Sequence, residues 1–312
     1  MSNGAGPGHE PGAALQTSLW RPRTGCGTGC LPPASTVTRA APHVIAARAA
    51  TGLAVFAAAA VSTLVLPLLP PSRRVRVLQV FARALLRSIG VQRRTVGPLP
   101  RCGALLVANH VSWLDVLVLL SRAPVRVLAK CEIASWPLIG RLTTAAGAVY
   151  LDRSRPRRLP ATVAAAAEAI RNGSVVAVFP EGTTGCGQMP AAFRPAMFQA
   201  AIDAGAPVVP VVLRYFTAGD PTTAVAFVGD DSLLASIRRV LAMRDVHVCL
   251  TSHPALYPAA GVGRRALART AAAVVAVPFL SAASPVRSGL QLLGRTPPGR
   301  RPDSAPTVDI AA

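Results

Sequence analysis

Residues 104–115 read Ala-Leu-Leu-Val-Ala-Asn-His-Val-Ser-Trp-Leu-Asp, and this stretch decides the fold class. Its first five residues are all apolar, which is typical of a strand buried on both faces in a parallel sheet. Polar Asn109 and His110 follow at once, and a helix is predicted to begin after Ser112. Open α/β sheets place their sites at the carboxyl ends of parallel strands. The stretch therefore predicts both a parallel sheet and a site at its edge.

The same alternation of short apolar runs and helical stretches continues from residue 100 to about residue 278. It predicts an α/β fold with a mixed, largely parallel sheet flanked by helices. The predicted strands are residues 104–108, 125–129, 148–151, 174–179, 207–213, 224–228 and 246–251. The predicted helices are residues 112–121, 159–171, 195–204 and 264–277.

The composition restricts the partners. The chain has 312 residues, of which 33 are Lys or Arg and 13 are Asp or Glu, so its formal charge is +20. Half of the residues (51%) are hydrophobic and only 4% are aromatic. This combination favours an anionic membrane surface over nucleic acid, because few aromatic rings are present to stack on bases. Six Cys are too few for a disulfide scaffold, and the pair Cys26 and Cys30 has no second ligand pair near it in sequence, so a zinc site has little support.

Four regions follow from changes in composition. Residues 1–40 are rich in Gly, Pro, Ser and Thr and are predicted to be a disordered extension, as are residues 282–312 at the other end. Residues 41–95 are predicted to be a membrane-anchoring or interfacial helical region. Residues 96–281 are predicted to form the globular domain that carries the chemistry.

The anchoring prediction depends mainly on residues 49–69, which carry no charge. About 20 apolar residues in a helix cross a ~30 Å hydrocarbon core, so this run predicts one transmembrane helix. A buried or interfacial helix pair is the alternative. Two Arg precede the run and five follow it within 18 residues, and this excess predicts that the bulk of the chain faces the cytoplasm.

Residues 72–89 have a helical period and a narrow cationic face. At ~100° per residue the four Arg at 73, 76, 83 and 87 fall within about 80°, and apolar residues fill most of the remaining surface. Such a helix suits a bilayer interface, where Arg meets lipid phosphates. The alternative is an ordinary helix with one solvated face.

His110 and Asp115 are the best candidates for acid–base chemistry. On one continuous helix their side chains would point about 140° apart, but they can meet if His110 lies in the loop and Asp115 in the first helical turn. A carboxylate on one ring nitrogen fixes the tautomer and stabilises the cation formed when the other nitrogen takes a proton. The alternative is that Asp115 only completes a capping box with Ser112. No nucleophile completes a triad, which favours group transfer to a hydroxyl of the substrate.

Two further strand ends carry polar residues. The run at 175–179 leads into Pro180-Glu-Gly-Thr-Thr184, where Gly182 permits close approach to a ligand and Glu181 could bind a hydroxyl. An exposed acid in a turn is the alternative for Glu181. Arg153 follows another short strand and is a candidate phosphate ligand, unless it only pairs with Asp152 at the surface.

Together these segments resemble the glycerolipid, or lysophospholipid, acyltransferase family. The first family motif, Asn-His, four residues and Asp, is similar to residues 109–115. The second, a Gly followed six residues later by Arg, is similar to residues 147–153. The third, Phe-Pro-Glu-Gly-Thr, matches residues 179–183, and the fourth, Val-Pro-Val, matches residues 209–211. The resemblance covers roughly residues 100–250, with the motifs in the family's order.

The resemblance implies the family's fold and direct acyl transfer without an acyl-enzyme, a metal or a cofactor. His110 would take the proton of a glycerol hydroxyl as the oxygen attacks an acyl thioester, and Asp115 would orient His110. Arg153 would hold the acceptor phosphate, and Lys130 would also face it. The remaining implied site residues shape the acceptor site: Glu181, Gly182 and Thr183.

The implied reaction makes phosphatidic acid from 1-acyl-glycerol-3-phosphate, with acyl-CoA or acyl carrier protein as donor. The implied location is the bacterial inner membrane, with residues 96–281 as the acyltransferase domain in the cytoplasm. Two departures put the acceptor in question: Thr184 stands where many members have Arg, and Arg194 stands in a segment that is commonly Phe-Lys-x-Gly. Another lyso-lipid, such as lyso-ornithine lipid, is the alternative acceptor, and a non-catalytic basic lipid-binding protein is the alternative of another class.

Overall fold

The computed structural model describes residue 22 and residues 24–189 and 191–280. The predicted tail at 282–312 and the first part of the predicted extension, residues 1–21, lie outside the described residues. Eight strands in the described part of the chain form one sheet. They are β1 (Val91–Val96), β2 (Ala104–Ala108), β3 (Val125–Lys130), β4 (Val149–Leu151), β5 (Val175–Val178), β6 (Val208–Thr217), β7 (Asp220–Pro221) and β8 (Val246–Ser252).

The strands lie in the order β1-β8-β6-β2-β5-β3-β4, and β7 pairs with β6. All neighbours along this path are parallel except β6 and β8, which are antiparallel; the β6–β7 pairing is also antiparallel. The predicted mixed, largely parallel sheet is therefore confirmed. Strand β2 pairs with β5 on one side and with β6 on the other, so its carboxyl end lies in the middle of the sheet edge.

Nine helices are present in the described residues. They are α1 (Pro42–Ser62), α2 (Pro71–Ser88), α3 (Leu114–Arg122), α4 (Cys131–Ala134), α5 (Pro137–Ala145), α6 (Leu159–Arg171), α7 (Phe198–Asp203), α8 (Leu233–Ala242) and α9 (Arg264–Leu280). Adjacent residues of β2 point to opposite faces of the sheet and are both fully buried: Leu106 packs with residues of α2, α3 and α8, and Leu105 with residues of α6, α7 and α9. Helices thus cover both faces, which is why β2 reads as a continuous apolar run.

One strand prediction is wrong and one strand was not predicted, each for an identifiable reason. Residues 224–228 are buried but irregular, because the guanidinium of Arg239 donates to the carbonyls of Ala224 (2.8 Å) and Ala226 (2.7 Å) in place of a neighbouring strand. Strand β1 escaped prediction because its sequence, Val-Gln-Arg-Arg-Thr-Val, is polar. It lies at the edge of the sheet, where polar side chains remain exposed.

Helix α1 is the one helix in the described residues that is long and apolar enough to cross a membrane, with 11% of its most apolar window buried. After it the chain turns through a short 3-10 segment, Leu66–Leu68, and α2 returns against α1. The guanidinium of Arg74 fixes this turn by donating to the carbonyls of Leu66, Pro67 and Leu69 at 3.2–3.3 Å. The apolar run at 49–69 thus forms most of α1 and the turn after it, and α1 and α2 make a helix pair with an apolar turn at its tip.

Residues 24–40 differ from the expectation of disorder. They contain a 3-10 turn, Thr28–Cys30, and four of their side chains pack against the core: Cys26, Cys30, Leu31 and Val37. The chain then follows the end of α8, where the amide of Ala40 donates to the carbonyl of Ala242 at 2.8 Å. The segment lacks the periodic apolar residues that sequence patterns detect, yet these four apolar side chains find places against the core.

Candidate active site

The position of His110 is set by the residue before it. The side-chain amide of Asn109 donates to the carbonyl of Leu213 at 2.9 Å and accepts from the amide of Leu213 at 2.8 Å. This pair of bonds continues the β2–β6 pairing past the last residue of β2. The backbone therefore leaves the sheet at a fixed angle, and the next residue, His110, stands above the sheet edge.

His110 and Asp115 are in contact, which is one of the two arrangements that their spacing allows. Nδ1 of His110 lies 2.8 Å from Oδ2 of Asp115, and the carboxylate is fully buried. The same oxygen accepts hydrogen bonds from the backbone amides of Val111 (2.6 Å) and Ser112 (2.8 Å). Asp115 therefore serves both of the alternatives that the sequence left open, since it holds the loop amides and the imidazole together.

The second oxygen of Asp115 has a partner that sequence analysis missed. The buried hydroxyl of Tyr215, on β6, donates to Oδ1 at 2.6 Å. Burial and the neighbouring charge of Asp115 raise the pKa of Tyr215 well above its usual value, so Tyr215 stays a neutral donor. The only signal in the sequence is a Tyr in a mostly apolar strand, because a buried Tyr hydroxyl needs a partner.

The imidazole is also held from the side of the third motif. The ring of Phe179 stacks on that of His110 with centroids 4.0 Å apart and planes 14° apart. From the same motif, the carboxylate of Glu181 accepts a hydrogen bond from the backbone amide of His110 at 3.2 Å. With Nδ1 committed to Asp115, the ring presents Nε2 as its available nitrogen.

Glu181 lies in an environment that disfavours its charge. Burial raises the pKa of its carboxyl to about 8; the negative charge of Asp115 adds to this effect, and the hydrogen bond from the His110 amide opposes it. Glu181 is thus mainly neutral at pH 7. The alternative of an exposed acid in a turn does not describe it, since it is partly buried and bonded.

A cavity of about 310 Å³ opens beside the imidazole. Its lining includes His110 and Glu181, together with Val275 from α9 and Cys26 from the segment that was expected to be disordered. The other predicted site residues are described but do not line it: Asp115, Lys130, Arg153, Gly182 and Thr183. The structure thus brings His110 and Glu181 to one cavity, keeps Asp115 buried in contact with His110, and sets the predicted phosphate ligands apart from the cavity.

Those cationic residues form a second cluster with Arg194. Partial burial lowers the pKa of Lys130, and the nearby charge of Arg153 lowers it further while Glu132 raises it. Burial likewise lowers the pKa of Arg153; Glu132 opposes this effect, and the charge of Arg194 adds to it. Arg153 therefore lies close enough to both Lys130 and Arg194 for their charges to repel, and Glu132 is the acid that acts on Lys130 and Arg153.

Arg153 does not form the surface pair that the sequence offered as its alternative. Asp152 instead accepts from the hydroxyl of Ser154 at 2.6 Å and lies 3.8 Å from the guanidinium of Arg155.

Gly182 connects the cavity and the cationic cluster. It follows Glu181, has a φ of +79°, and a Cβ there would lie 3.2 Å from the side chain of Arg194 and 2.9 Å from that of Pro22. Glycine is required here for its backbone angle and for this close approach. The neighbouring Thr184, one of the departures from the family pattern, donates its hydroxyl to the carbonyl of Phe227 and so ties the motif to the loop at 224–228.

Comparisons with known proteins identify the family of the chain. The family model described as "Acyltransferase" matches residues 91–214. A lyso-ornithine lipid O-acyltransferase of Pseudomonas aeruginosa is 34% identical over 218 residues, which are 69% of this chain and 83% of that protein. A 1-acyl-sn-glycerol-3-phosphate acyltransferase of Neisseria meningitidis is 34% identical over 180 residues, 57% of this chain and 71% of that protein.

A solved structure supports the fold. The 1-acyl-sn-glycerophosphate (LPA) acyltransferase PlsC of Thermotoga maritima superposes with a TM-score of 0.51 at 20% identity, covering 72% of this chain and 81% of that one. The family model, the sequence relatives and the superposed structure all name acyltransferases. The chain therefore belongs to the lysophospholipid and glycerolipid acyltransferase family and is an acyltransferase.

Proposed function

We propose that this enzyme transfers an acyl group from a thioester to the free hydroxyl of a lyso-lipid, with His110 as general base. The observation that carries the proposal is the 2.8 Å contact between His110 and Asp115 at the wall of a cavity. Nε2 takes the hydroxyl proton as the oxygen attacks the thioester carbonyl. The tetrahedral intermediate then collapses, the C–S bond breaks, and the departing sulfur takes the proton back from the imidazolium, so transfer is direct.

In this mechanism Asp115 stabilises the imidazolium that forms after proton transfer. Tyr215 and the two loop amides keep the carboxylate in place, so no reorganisation is needed during the step. Base catalysis of this kind is typically worth about 10²–10⁴-fold. The stacked ring of Phe179 fixes the plane of the imidazole. It thereby fixes the direction from which the hydroxyl must approach Nε2.

We propose 1-acyl-glycerol-3-phosphate as the acceptor, which makes phosphatidic acid the product. The cluster of Lys130, Arg153 and Arg194 supports this choice, because a phosphate monoester carries close to two negative charges at pH 7 and three cations with one acid, Glu132, match it. Gly182, Thr183 and Glu181 would position the glycerol part between the cluster and the cavity.

Lyso-ornithine lipid is the second candidate acceptor, because the Pseudomonas relative with 83% of its length covered carries that name. Its head group has one carboxylate and one amine and so needs fewer cations. Replacement of Arg153 by Ala distinguishes the two: we expect a large rise in KM for the phosphate acceptor, whereas a lyso-ornithine acceptor would be less affected. Arg155→Ala is the matched control, since Arg155 is 63% exposed and lies beside Asp152.

The donor in this proposal is acyl-CoA or acyl carrier protein. Both are strongly anionic, and a chain of charge +20 attracts them. We assign no metal or cofactor to the transfer step itself.

The helix pair α1–α2 supports attachment to one leaflet of the bacterial inner membrane. The guanidinium of Arg48, in α1, donates to the carbonyls of Leu241 (3.2 Å), Met243 (2.5 Å) and Arg244 (3.1 Å) at the end of α8. The start of α1 is therefore bound to the globular domain. Residues 49–62 then extend only about 21 Å at ~1.5 Å per residue, short of a ~30 Å hydrocarbon core.

The tip of this pair is apolar and exposed, with Val61 65%, Leu64 68% and Leu68 81% exposed. We propose that it inserts into one leaflet, which leaves the domain on the cytoplasmic side where it is synthesised. The exposed Arg73 and Arg76 near the start of α2 would then meet lipid phosphates.

Replacement of His110 by Ala tests the base assignment. We expect turnover with 1-acyl-glycerol-3-phosphate and an acyl thioester, measured as product lipid by mass spectrometry, to fall by about 10²-fold or more. His247→Ala is the matched control, because His247 also pairs with an acid, Asp245, at 2.7 Å but does not line the cavity. Near-normal turnover of a folded His110→Ala enzyme would refute the proposal, as would equal losses in both variants.

A further inference from the structure

Three thiols from two distant parts of the chain lie together next to the cavity. The Sγ atoms of Cys26, Cys30 and Cys186 are all within 4.8 Å of one another. Cys26 and Cys186 also line the cavity. Only the Cys26–Cys30 pair is visible in the sequence, because Cys186 is distant along the chain and comes close to the pair only in the folded protein.

Local structure brings the three side chains together. The amide of Cys30 donates to the carbonyl of Gly27 at 3.0 Å in the 3-10 turn, which folds Cys30 back towards Cys26. The amide of Cys186 donates to Sγ of Cys26 at 3.3 Å. The hydroxyl of Thr223 donates to the carbonyl of Cys30 at 2.7 Å and fixes the turn from the other side. Cys30 is therefore held through its backbone, and the hydrogen bond from the Cys186 amide to the Cys26 sulfur holds the other two cysteines together.

We propose that Cys26, Cys30 and Cys186 form a binding site for a thiophilic divalent cation, with Zn²⁺ as the occupant that three thiolates favour. The spacing Cys-x-x-x-Cys is within the range found in zinc sites, and tetrahedral zinc with Zn–S bonds of about 2.3 Å places its sulfurs roughly 3.8 Å apart. The observed separations need only a small adjustment to reach this geometry. On binding, the three thiols release their protons to solvent, and water or another small ligand takes the fourth position.

The metal would join the segment around Cys26 to the loop that follows Thr184. Both segments line the cavity that contains His110, so the metal would stabilise one wall of it. This role is structural and does not depend on the proposed acyl-transfer mechanism.

Metal analysis of the purified, reduced full-length chain in detergent tests the proposal. We expect about one zinc per chain, and titration with Co²⁺ should give a thiolate-to-cobalt charge-transfer band in the near ultraviolet. Cys186→Ala should weaken metal binding, measured by competition with a chelator, by roughly tenfold or more. Cys249→Ala is the matched control, because Cys249 is equally buried but lies on β8 outside the cluster.

A second variant and a second readout keep the test decisive if Cys186→Ala folds poorly. Cys30→Ala leaves the buried thiol in place and should also lose the metal. Added zinc should raise the thermal unfolding midpoint of the unaltered chain and of Cys249→Ala but not that of Cys30→Ala. Equal zinc content in all variants, absence of the cobalt band, or isolation of a disulfide within the cluster would overturn the proposal.

Discussion

Replacement of Asp115 by Asn separates the charge of this residue from its hydrogen bonds. In the structure Oδ2 accepts from His110, Val111 and Ser112, and Oδ1 accepts from Tyr215. An asparagine amide can place its oxygen towards the three N–H donors. Its NH₂ group then faces the Tyr215 hydroxyl, which has lone pairs to accept a hydrogen bond. The variant therefore keeps the tautomer and the position of the imidazole and loses only the negative charge.

The size of the expected effect follows from the charge pair. An imidazolium and a carboxylate about 4 Å apart interact by about 4 kcal/mol at an effective dielectric constant of ~20. This stabilisation exists only after the proton has moved to His110, so it lowers the barrier and not the energy of the bound substrate. Since ~1.4 kcal/mol is a factor of ten, we expect turnover of Asp115→Asn to fall about 10³-fold.

The assay measures product lipid in a single turnover, so that product release does not hide the chemical step. The double variant with His110→Ala should be no slower than His110→Ala alone, because the two residues act as one unit. Asp245→Asn is the control, since that carboxylate contacts His247 at 2.7 Å elsewhere on the molecule. Retention of more than about a tenth of turnover by Asp115→Asn would refute the argument, as would losses that multiply in the double variant.

Three other outcomes follow from the structure. Glu181 is neutral below its pKa of about 8 and anionic above it, so turnover with an anionic acceptor should fall as the pH rises through this value. Replacement of Glu181 by Gln should remove this fall at alkaline pH. An identical pH profile in the variant would contradict the reasoning. Tyr215→Phe leaves one oxygen of Asp115 without its donor and should lower the free energy of unfolding, measured by thermal unfolding, by about 1.5–3 kcal/mol. It should also reduce kcat and leave KM unchanged. Tyr257→Phe, at a side chain that is 75% exposed, should change neither stability nor turnover. Leu68→Asp should weaken the affinity for anionic vesicles, measured by co-sedimentation, at least tenfold, since burial of a Leu side chain is worth about 1.5–3 kcal/mol. An affinity equal to that of the control Tyr257→Asp would exclude the tip as the insertion point.

Features of the molecule that are local in the chain could be predicted from the sequence. Strand β2 reads as an apolar run because both of its faces are buried, and the contact between His110 and Asp115 spans only five residues. The helix at 159–171 was predicted with the bounds that the structure gives, because its apolar side repeats at the helical period. Burial pattern and short spacing are sufficient for such features.

Features that depend on contacts between distant segments could not be predicted. Tyr215 reaches Asp115 across 100 residues of chain, and Arg239 replaces a strand partner for residues 224–228. Neither contact leaves a periodic signal. The segment at 24–40 was expected to be disordered for a similar reason, because composition alone does not show that Cys26 and Leu31 find places against the core.

The pairing of β1 with β8 has a consequence for biosynthesis. Val91 lies in register with Val246, so the first strand of the sheet has no neighbour until the last strand has left the ribosome. Helix α1 and its partner emerge long before that moment and can reach the lipid surface while the remainder is still being translated. Pairing over so long a separation is slow because a large loop must close first. The nascent chain therefore keeps an open sheet edge until synthesis is nearly complete. Under the proposed insertion of the α1–α2 tip, the order of synthesis would make membrane attachment an early event and catalytic competence a late one.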